Sequence, residues 1–302
     1  MKCEIGVNNY RFHKVFDFYD YWNRSVPYER FLPLFLFIVE MGPSRMDHIV
    51  QYNKCFYNKS DLANRLIRHP LNQLYKNSNL ILSTNCPLFY AILRNPENYK
   101  RLRELHLVDP SQGNLDIQAF FLLSKVFRTY VAPHQDVLDE VNAVLAPFSN
   151  DYLVGMHIRC GNPLSDFKDQ STFIRAGRLT TFSHCLNSIE SGRTNKQKEI
   201  ALILTSDSTR AKKKILSYHP KLHIASNNRK AIHTMQVTGK KRDNDGMKDA
   251  FVEMLMLARC KKVIGTTRST FSLCAAAFQG ELPLLVGLKE GPCSIPQQIV
   301  FG

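Results

Sequence analysis

The chain has 302 residues, of which 44% are hydrophobic and 22% charged, the balance of a globular protein with enough material for a substantial core. That size argues against a small scaffold that needs disulfides or structural metals to fold. The formal net charge of +14 favours anionic partners: nucleic acid, an acidic membrane or a phosphorylated small molecule.

The first stretch holds no run near the ~20 apolar residues of a membrane-spanning helix. The nearest, residues 31–41, is broken by Pro33 and Glu40, and the extreme N-terminus lacks a secretory apolar segment. Two compartments stay open: the cytoplasm, or the secretory pathway (Golgi or ER lumen) if a targeting segment lies elsewhere. The sequons Asn23-Arg24-Ser25 and Asn58-Lys59-Ser60 would be glycan acceptors in the second case.

Residues 1–145 are rich in aromatics and read as mainly helical with a few strands. Residues 79–83 (NLILS) suit a strand, and apolar spacing predicts helices over 117–130 and 135–145, separated by Pro133. After Pro147 strands and helices alternate. Strands are expected over 152–158, 199–205, 222–225, 262–265 and 282–286. Helices are expected over 179–190, 209–218, 247–259 and 269–278. Asp243, Asn244, Asp245 and Gly246 read as the cap of the helix over 247–259. Such alternation implies a mostly parallel sheet, whose ligands bind beyond the carboxyl ends of the strands.

Eight cysteines are scattered at positions 3, 55, 86, 160, 185, 260, 274 and 293 without zinc spacing, and several fall in apolar stretches as buried thiols. The basic runs 212–214, 240–242 and 261–262 read first as solvated surface.

Three strand ends carry chemistry. VGMHIRCGN places Arg159 after a strand and before a glycine, where a planar guanidinium can meet a phosphate in two parallel hydrogen bonds or form a structural ion pair. LTSDS places Asp207 after a buried strand, where it is equally an ordinary helix cap. VIGTTRSTFS runs from a strand through a hydroxyl-rich turn into a helix, which makes an anion cradle of free N–H groups and hydroxyls; capping by Ser269 accounts for one of those hydroxyls.

Taken together, these segments resemble the motifs of inverting fucosyltransferases. HIRCGN resembles the HxRxG(D/N) motif, closest to that of the rhizobial nodulation enzymes. LTSDSTRAKKKILSYHPKLHIASNN is similar to the second motif of the α1,6-fucosyltransferases. EMLMLARCKKVIGTTRSTFSLCAAAFQGELPLLVG is similar to the third motif shared with plant xyloglucan fucosyltransferases and protein O-fucosyltransferases. The resemblance covers residues 120–295, and residues 1–115 have no counterpart in it.

It implies an α/β fold of GT-B type, with two Rossmann-like domains facing across a cleft. Residues 1–146 would form the acceptor side and 147–302 the GDP-sugar-binding side. Arg159 would hold the β-phosphate and stabilise the charge developing on the leaving GDP. His157 would line the same pocket. Ser269 and Thr270, with the backbone N–H groups that follow, would bind the pyrophosphate, and Asn162, Thr267 and Phe271 belong to the same donor-binding set. Glu253 falls where relatives place a carboxylate facing guanine; read alone it is an exposed helix carboxylate. Asp207 would lie near the nucleoside.

Asn162 stands where many relatives have Asp, and Arg268 where plant enzymes have Trp, either adding a phosphate contact or clashing with one. The resemblance implies GDP-fucose as donor, a glycan or glycoprotein acceptor, and neither metal nor other cofactor; no DxD motif of the manganese-binding kind is present. Asp166, Asp169 and His157 are candidate general bases by proximity to the first motif. The alternatives are a catalytically inactive nucleotide-sugar-binding relative and a basic nucleic-acid-binding protein. Against the second, aromatics are not interleaved with the basic runs.

Overall fold

A computed structural model describes residues 48–52, 80–84, 88–130, 133–167, 172–194, 198–225 and 244–288. The two sequons, the apolar run 31–41, the basic run 240–242, Asp169, Asp243 and Cys3, Cys55, Cys86 and Cys293 lie outside them. Two compact units divide the chain, Met1–His134 with Phe301–Gly302 and Gln135–Val300.

In the first unit, β1 (His48–Tyr52) pairs in parallel with β2 (Leu80–Thr84). Helices α1 (Leu88–Arg94), α2 (Pro96–Glu104) and α3 (Leu115–Tyr130) follow. Ile92, Leu93, Leu102, Phe120 and Leu122 are buried among them. The start of α2 is set by Asn95, whose side chain accepts from the N–H groups of Glu97 and Asn98, with Pro96 supplying helical φ at the first position.

The second unit is built on a five-stranded parallel sheet in the order β5-β4-β3-β6-β7. In chain order its elements are α4 (Gln135–Leu145), β3 (Tyr152–Ile158), α5 (Leu179–Gly192), β4 (Ile200–Ser206) and α6 (Thr209–Tyr218). Then come β5 (His223–Ala225), α7 (Asn244–Ala258), β6 (Lys262–Thr266), α8 (Thr270–Gln279) and β7 (Leu284–Val286). The alternation expected from the sequence is thus present, and it closes a parallel sheet.

Side chains alternate between the two faces of the sheet. Val154, Met156 and Ile158 of β3 join Leu202 and Leu204 of β4 in a cluster capped by Phe182 and Leu186 of α5 and Ile215 of α6. Ile203 goes to the opposite face, with Val137 and Val141 of α4, Val252 and Leu257 of α7 and Ala275 of α8. A strand covered on both faces reads as a near-continuous apolar run, and β4 (IALILTS) is buried throughout, apolar up to Thr205 and Ser206 at its carboxyl end.

Asp245 and Gly246 do not cap α7, because the helix already includes them from Asn244 onward. Cys160 and Cys260 are buried free thiols and Cys274 a partly buried one, as expected for several of the cysteines, whereas Cys185 is disulfide-bonded. Among the described residues no helix is long and apolar enough to cross a membrane.

Candidate donor-binding site

The carboxyl ends of β3, β4 and β6 are adjacent because β3 lies between the other two. Their loops are tied together by hydrogen bonds. The Arg159 N–H donates to Thr266 Oγ1 at 2.9 Å, linking β3 to β6. Ser206 Oγ donates to the Ile158 carbonyl at 2.7 Å, linking β4 to β3.

Asp207 organises the turn after β3. Its carboxylate accepts the N–H of Cys160 at 2.7 Å and of Gly161 at 3.0 Å, and lies 3.4 Å from the Arg159 guanidinium. It is not the cap of α6: Ser208 is, accepting the Ala211 N–H through Oγ at 3.1 Å. The capping alternative for Asp207 therefore fails, because its side chain turns back toward β3. Cys160, next to Arg159, is held as a neutral thiol, since burial and then the Asp207 charge push its pKa up to about 12.

Arg159 keeps a fifth of its side chain exposed, so the cation is held yet reachable. Phe167 and Phe173 lie against its guanidinium, with ring centroids 5.1 and 5.3 Å from Cζ.

His157 is buried at the start of α8. Its Nδ1 lies 2.7 Å from Ser272 Oγ and 3.5 Å from Ser269 Oγ, and its ring meets Phe271 at 4.6 Å. Ser272 Oγ also accepts the Thr266 N–H at 3.3 Å, so one hydroxyl bridges His157 and the end of β6. Burial, followed by the charges of Arg159 and Lys212, lowers the His157 pKa to about 3. The ring is neutral near pH 7.

Close approach of α8 to the sheet makes this contact possible. At Gly265 a Cβ would sit 2.5 Å from Ser272 Cβ, so only glycine lets the helix come so near. Ser269 occupies the cap position of α8, yet its side chain makes no capping hydrogen bond and faces His157 instead. The first-turn N–H groups of Thr270, Phe271 and Ser272 are therefore not closed by their own cap residue.

The remaining expected residues are placed as follows. Thr270, Arg268 and Asn162 are exposed, and Thr267 and Phe271 are half-buried. Arg268 has a left-handed backbone, φ 67°, an uncommon conformation for a side chain of its size. Thr267 is fixed by its N–H, which donates to the Val286 carbonyl at 2.9 Å. The Asn162 carbonyl accepts from Thr172 Oγ1 at 2.6 Å. Asp166 is engaged at the start of α6, accepting the Thr209 N–H at 2.9 Å and the Thr209 hydroxyl as well.

Glu253 is half-buried on α7 rather than exposed, and burial raises its pKa to about 7 against the opposing charge of Lys212. The structure thus joins His157, Ser269 and Phe271 directly, and Arg159 with Asp207. The Lys212 charge bears on both Glu253 and His157, and Phe271 packs against the cluster that holds Val252 beside Glu253.

Several contributors escaped the sequence reading. Lys212 is half-buried while Lys213 and Lys214 are exposed, which a run of three lysines conceals. Ser272 stands three residues after Ser269, one helical turn on, and that spacing was the available signal. Thr205 pairs with His157 across the sheet, and its buried Oγ1 has no hydrogen-bond partner among the described residues. Phe167 and Phe173 had no signal, because nothing in their spacing ties them to Arg159. No group of three or more His, Cys, Asp or Glu able to hold a metal occurs among the described residues.

No protein-family model and no curated protein matches the chain. Among solved structures, it is similar to a variant of Arabidopsis thaliana FUT1 in complex with GDP, with a TM-score of 0.50 and 15% identity over 72% of this chain and 46% of that one. It is also similar to NodZ α-1,6-fucosyltransferase soaked with GDP-fucose, with a TM-score of 0.42 and 18% identity over 74% of this chain and 61% of that one. A third is POFUT1 in complex with GDP-fucose, with a TM-score of 0.37 and 11% identity over 66% and 60%. The chain spans less than half the length of the FUT1 it matches. The likeness to FUT1 shows the fold: this is a fucosyltransferase-like α/β fold with a parallel sheet, and its structural neighbours are of GT-B type.

Proposed function

We propose that this chain is an inverting glycosyltransferase that transfers fucose from GDP-fucose to a glycan or protein acceptor, without a metal. The observation that carries the reading is one juxtaposition. A guanidinium fixed by Asp207 and the hydroxyl-lined start of α8 lie at the ends of neighbouring strands, joined by the Arg159 N–H to Thr266 hydrogen bond. A GDP-bound structure of the same fold supports it.

In this reading Arg159 binds the β-phosphate through its planar fork. Ser269 and Thr270, with the N–H groups of Thr270 and Phe271, bind the pyrophosphate at the positive end of α8. Thr267 and Asn162 border the donor, and Glu253 accepts from guanine N1–H and N2–H2. The acceptor oxygen attacks the anomeric carbon as the bond to the β-phosphate oxygen breaks, and the charge that collects on GDP is met by Arg159 and the helix start. His157, being neutral, braces the α8 turn. The acceptor proton passes to the departing GDP, whose β-phosphate oxygen takes the electron pair of the broken bond.

The donor side would be residues 147–302 and the acceptor side 1–146. Thermal unfolding with and without GDP tests the proposal. Millimolar GDP should raise the melting temperature, and Arg159→Ala should abolish that rise while leaving the protein folded. An unchanged melting temperature in the wild-type protein would sink the donor site.

A further inference from the structure

We propose that Phe167 and Phe173 are positioning residues for Arg159, an aromatic clamp that holds its guanidinium ready for the donor diphosphate. The inference rests on the donor-site reading above and goes beyond it. Both rings lie against the cation, at 5.1 and 5.3 Å from Cζ, within the range of cation–π attraction.

The loop that carries them is built for this placement. Phe173 and Ile174 both donate their N–H groups to the Cys160 carbonyl, at 2.9 and 3.1 Å, which folds the return arm onto the residue after Arg159. Gly161 and Thr172 form a bridge across the loop. Ile174 is fully buried in the core and anchors the return arm. On the outgoing arm, Ser165 Oγ donates to the Phe167 carbonyl at 2.6 Å, and the Asp166 N–H donates to the Asp207 carbonyl at 2.8 Å. Asp207 therefore holds the arginine through its carboxylate and the loop bearing Phe167 through its carbonyl.

The chemistry explains why rings rather than more carboxylates surround this cation. A second carboxylate would neutralise the charge that the phosphate needs. An aromatic ring excludes water from the flat face of the guanidinium and leaves its charge intact. A ring takes up none of the guanidinium N–H groups as a carboxylate does, so the clamp does not compete with a phosphate for donors. A free arginine side chain loses rotamer freedom on binding; one already held by two rings and Asp207 loses less, which favours both affinity and rate.

The experiment compares Phe167→Leu, Phe173→Leu and the double variant with wild type, in wild-type and Arg159→Ala backgrounds, by GDP titration calorimetry, GDP-fucose hydrolysis rate and melting temperature. Each leucine should weaken GDP binding about threefold and the pair about tenfold. Hydrolysis should slow by at least as much, and Phe→Tyr at either position should restore both. In the Arg159→Ala background the leucines should have no further effect on the hydrolysis that remains, because the group they position is gone. If the Leu variants bind GDP and hydrolyse donor like wild type, or if their losses are the same in both backgrounds, the clamp is overturned while the donor site stands. If wild type binds no GDP, the donor-site reading falls and the clamp with it.

Discussion

The Asp207 carboxylate lies 3.4 Å from the Arg159 guanidinium and at the same time accepts the N–H groups of Cys160 and Gly161. One side chain from the end of β4 thus fixes both the shape of the β3 loop and the cation that the loop presents. Any loss at Asp207 is therefore transmitted to Arg159 as well as to the turn.

Asp207→Asn tests this. An amide can accept at one oxygen only, so its NH2 would face donors that the second carboxylate oxygen now accepts. Leaving buried donors unpaired costs ~1–3 kcal/mol per group, so a loss of about 2–3 kcal/mol is expected in denaturant unfolding. GDP affinity should fall together with stability, because Arg159 loses its anchor. A variant that keeps wild-type stability would show that the turn does not depend on this carboxylate.

Gly265→Ala should push α8 away from the sheet. The added Cβ would meet Ser272 Cβ at 2.5 Å and Oγ at 2.8 Å, too close to be relieved by a rotamer change. Overpacking of this kind costs roughly 1–3 kcal/mol, and here it also pulls the Ser272 hydroxyl from His157. The measurements are melting temperature and GDP binding, and both should decline.

His157 makes stability depend on acid. Its folded pKa is lowered to about 3 from 6.5, so between those values the unfolded chain binds the extra proton. Its contribution is fully present above pH 6.5 and is lost progressively as pH falls toward 3. Melting curves from pH 8 to 4 should show this loss, and His157→Phe should flatten it at the cost of an unpaired Ser272 hydroxyl. An unchanged slope in the variant would contradict the buried neutral ring.

Glu253 acts with the opposite sign. Its folded pKa is raised to about 7 from 4.5, so between those values the folded chain holds the extra proton and stability declines as pH rises. Glu253→Gln should stabilise the protein at pH 8 by roughly 2 kcal/mol, less than the full shift implies because the side chain is only partly buried. If the carboxylate accepts from guanine, GDP binding should weaken below about pH 7 in the wild type, and the variant should lose its preference for GDP over ADP. Titrations of both nucleotides at pH 6 and 8 decide it.

Much of the fold was legible because burial constrains composition strongly. Residues 152–158 and 200–206 are apolar enough to be buried on both faces, and the helices that follow carry apolar residues on one side. Local chemistry was less decisive where two neighbours could do the same job. Asp207 and Ser208 are both good caps, and only the direction of β3 beside them shows that Ser208 caps while Asp207 turns away. Ser269 resembles a cap in sequence and yet faces His157.

By itself the sequence determined the order of strands and helices, and with it the strand ends at which Arg159, Asp207 and Ser269 would gather. These follow from periodicity and from the rule that parallel strands end on one side. Only the tertiary structure decided that Phe167 and Phe173 lie against Arg159, that Lys212 differs from the two lysines after it, and that His157 is neutral. Each depends on contacts between residues far apart in the chain, and on burial that no local pattern encodes.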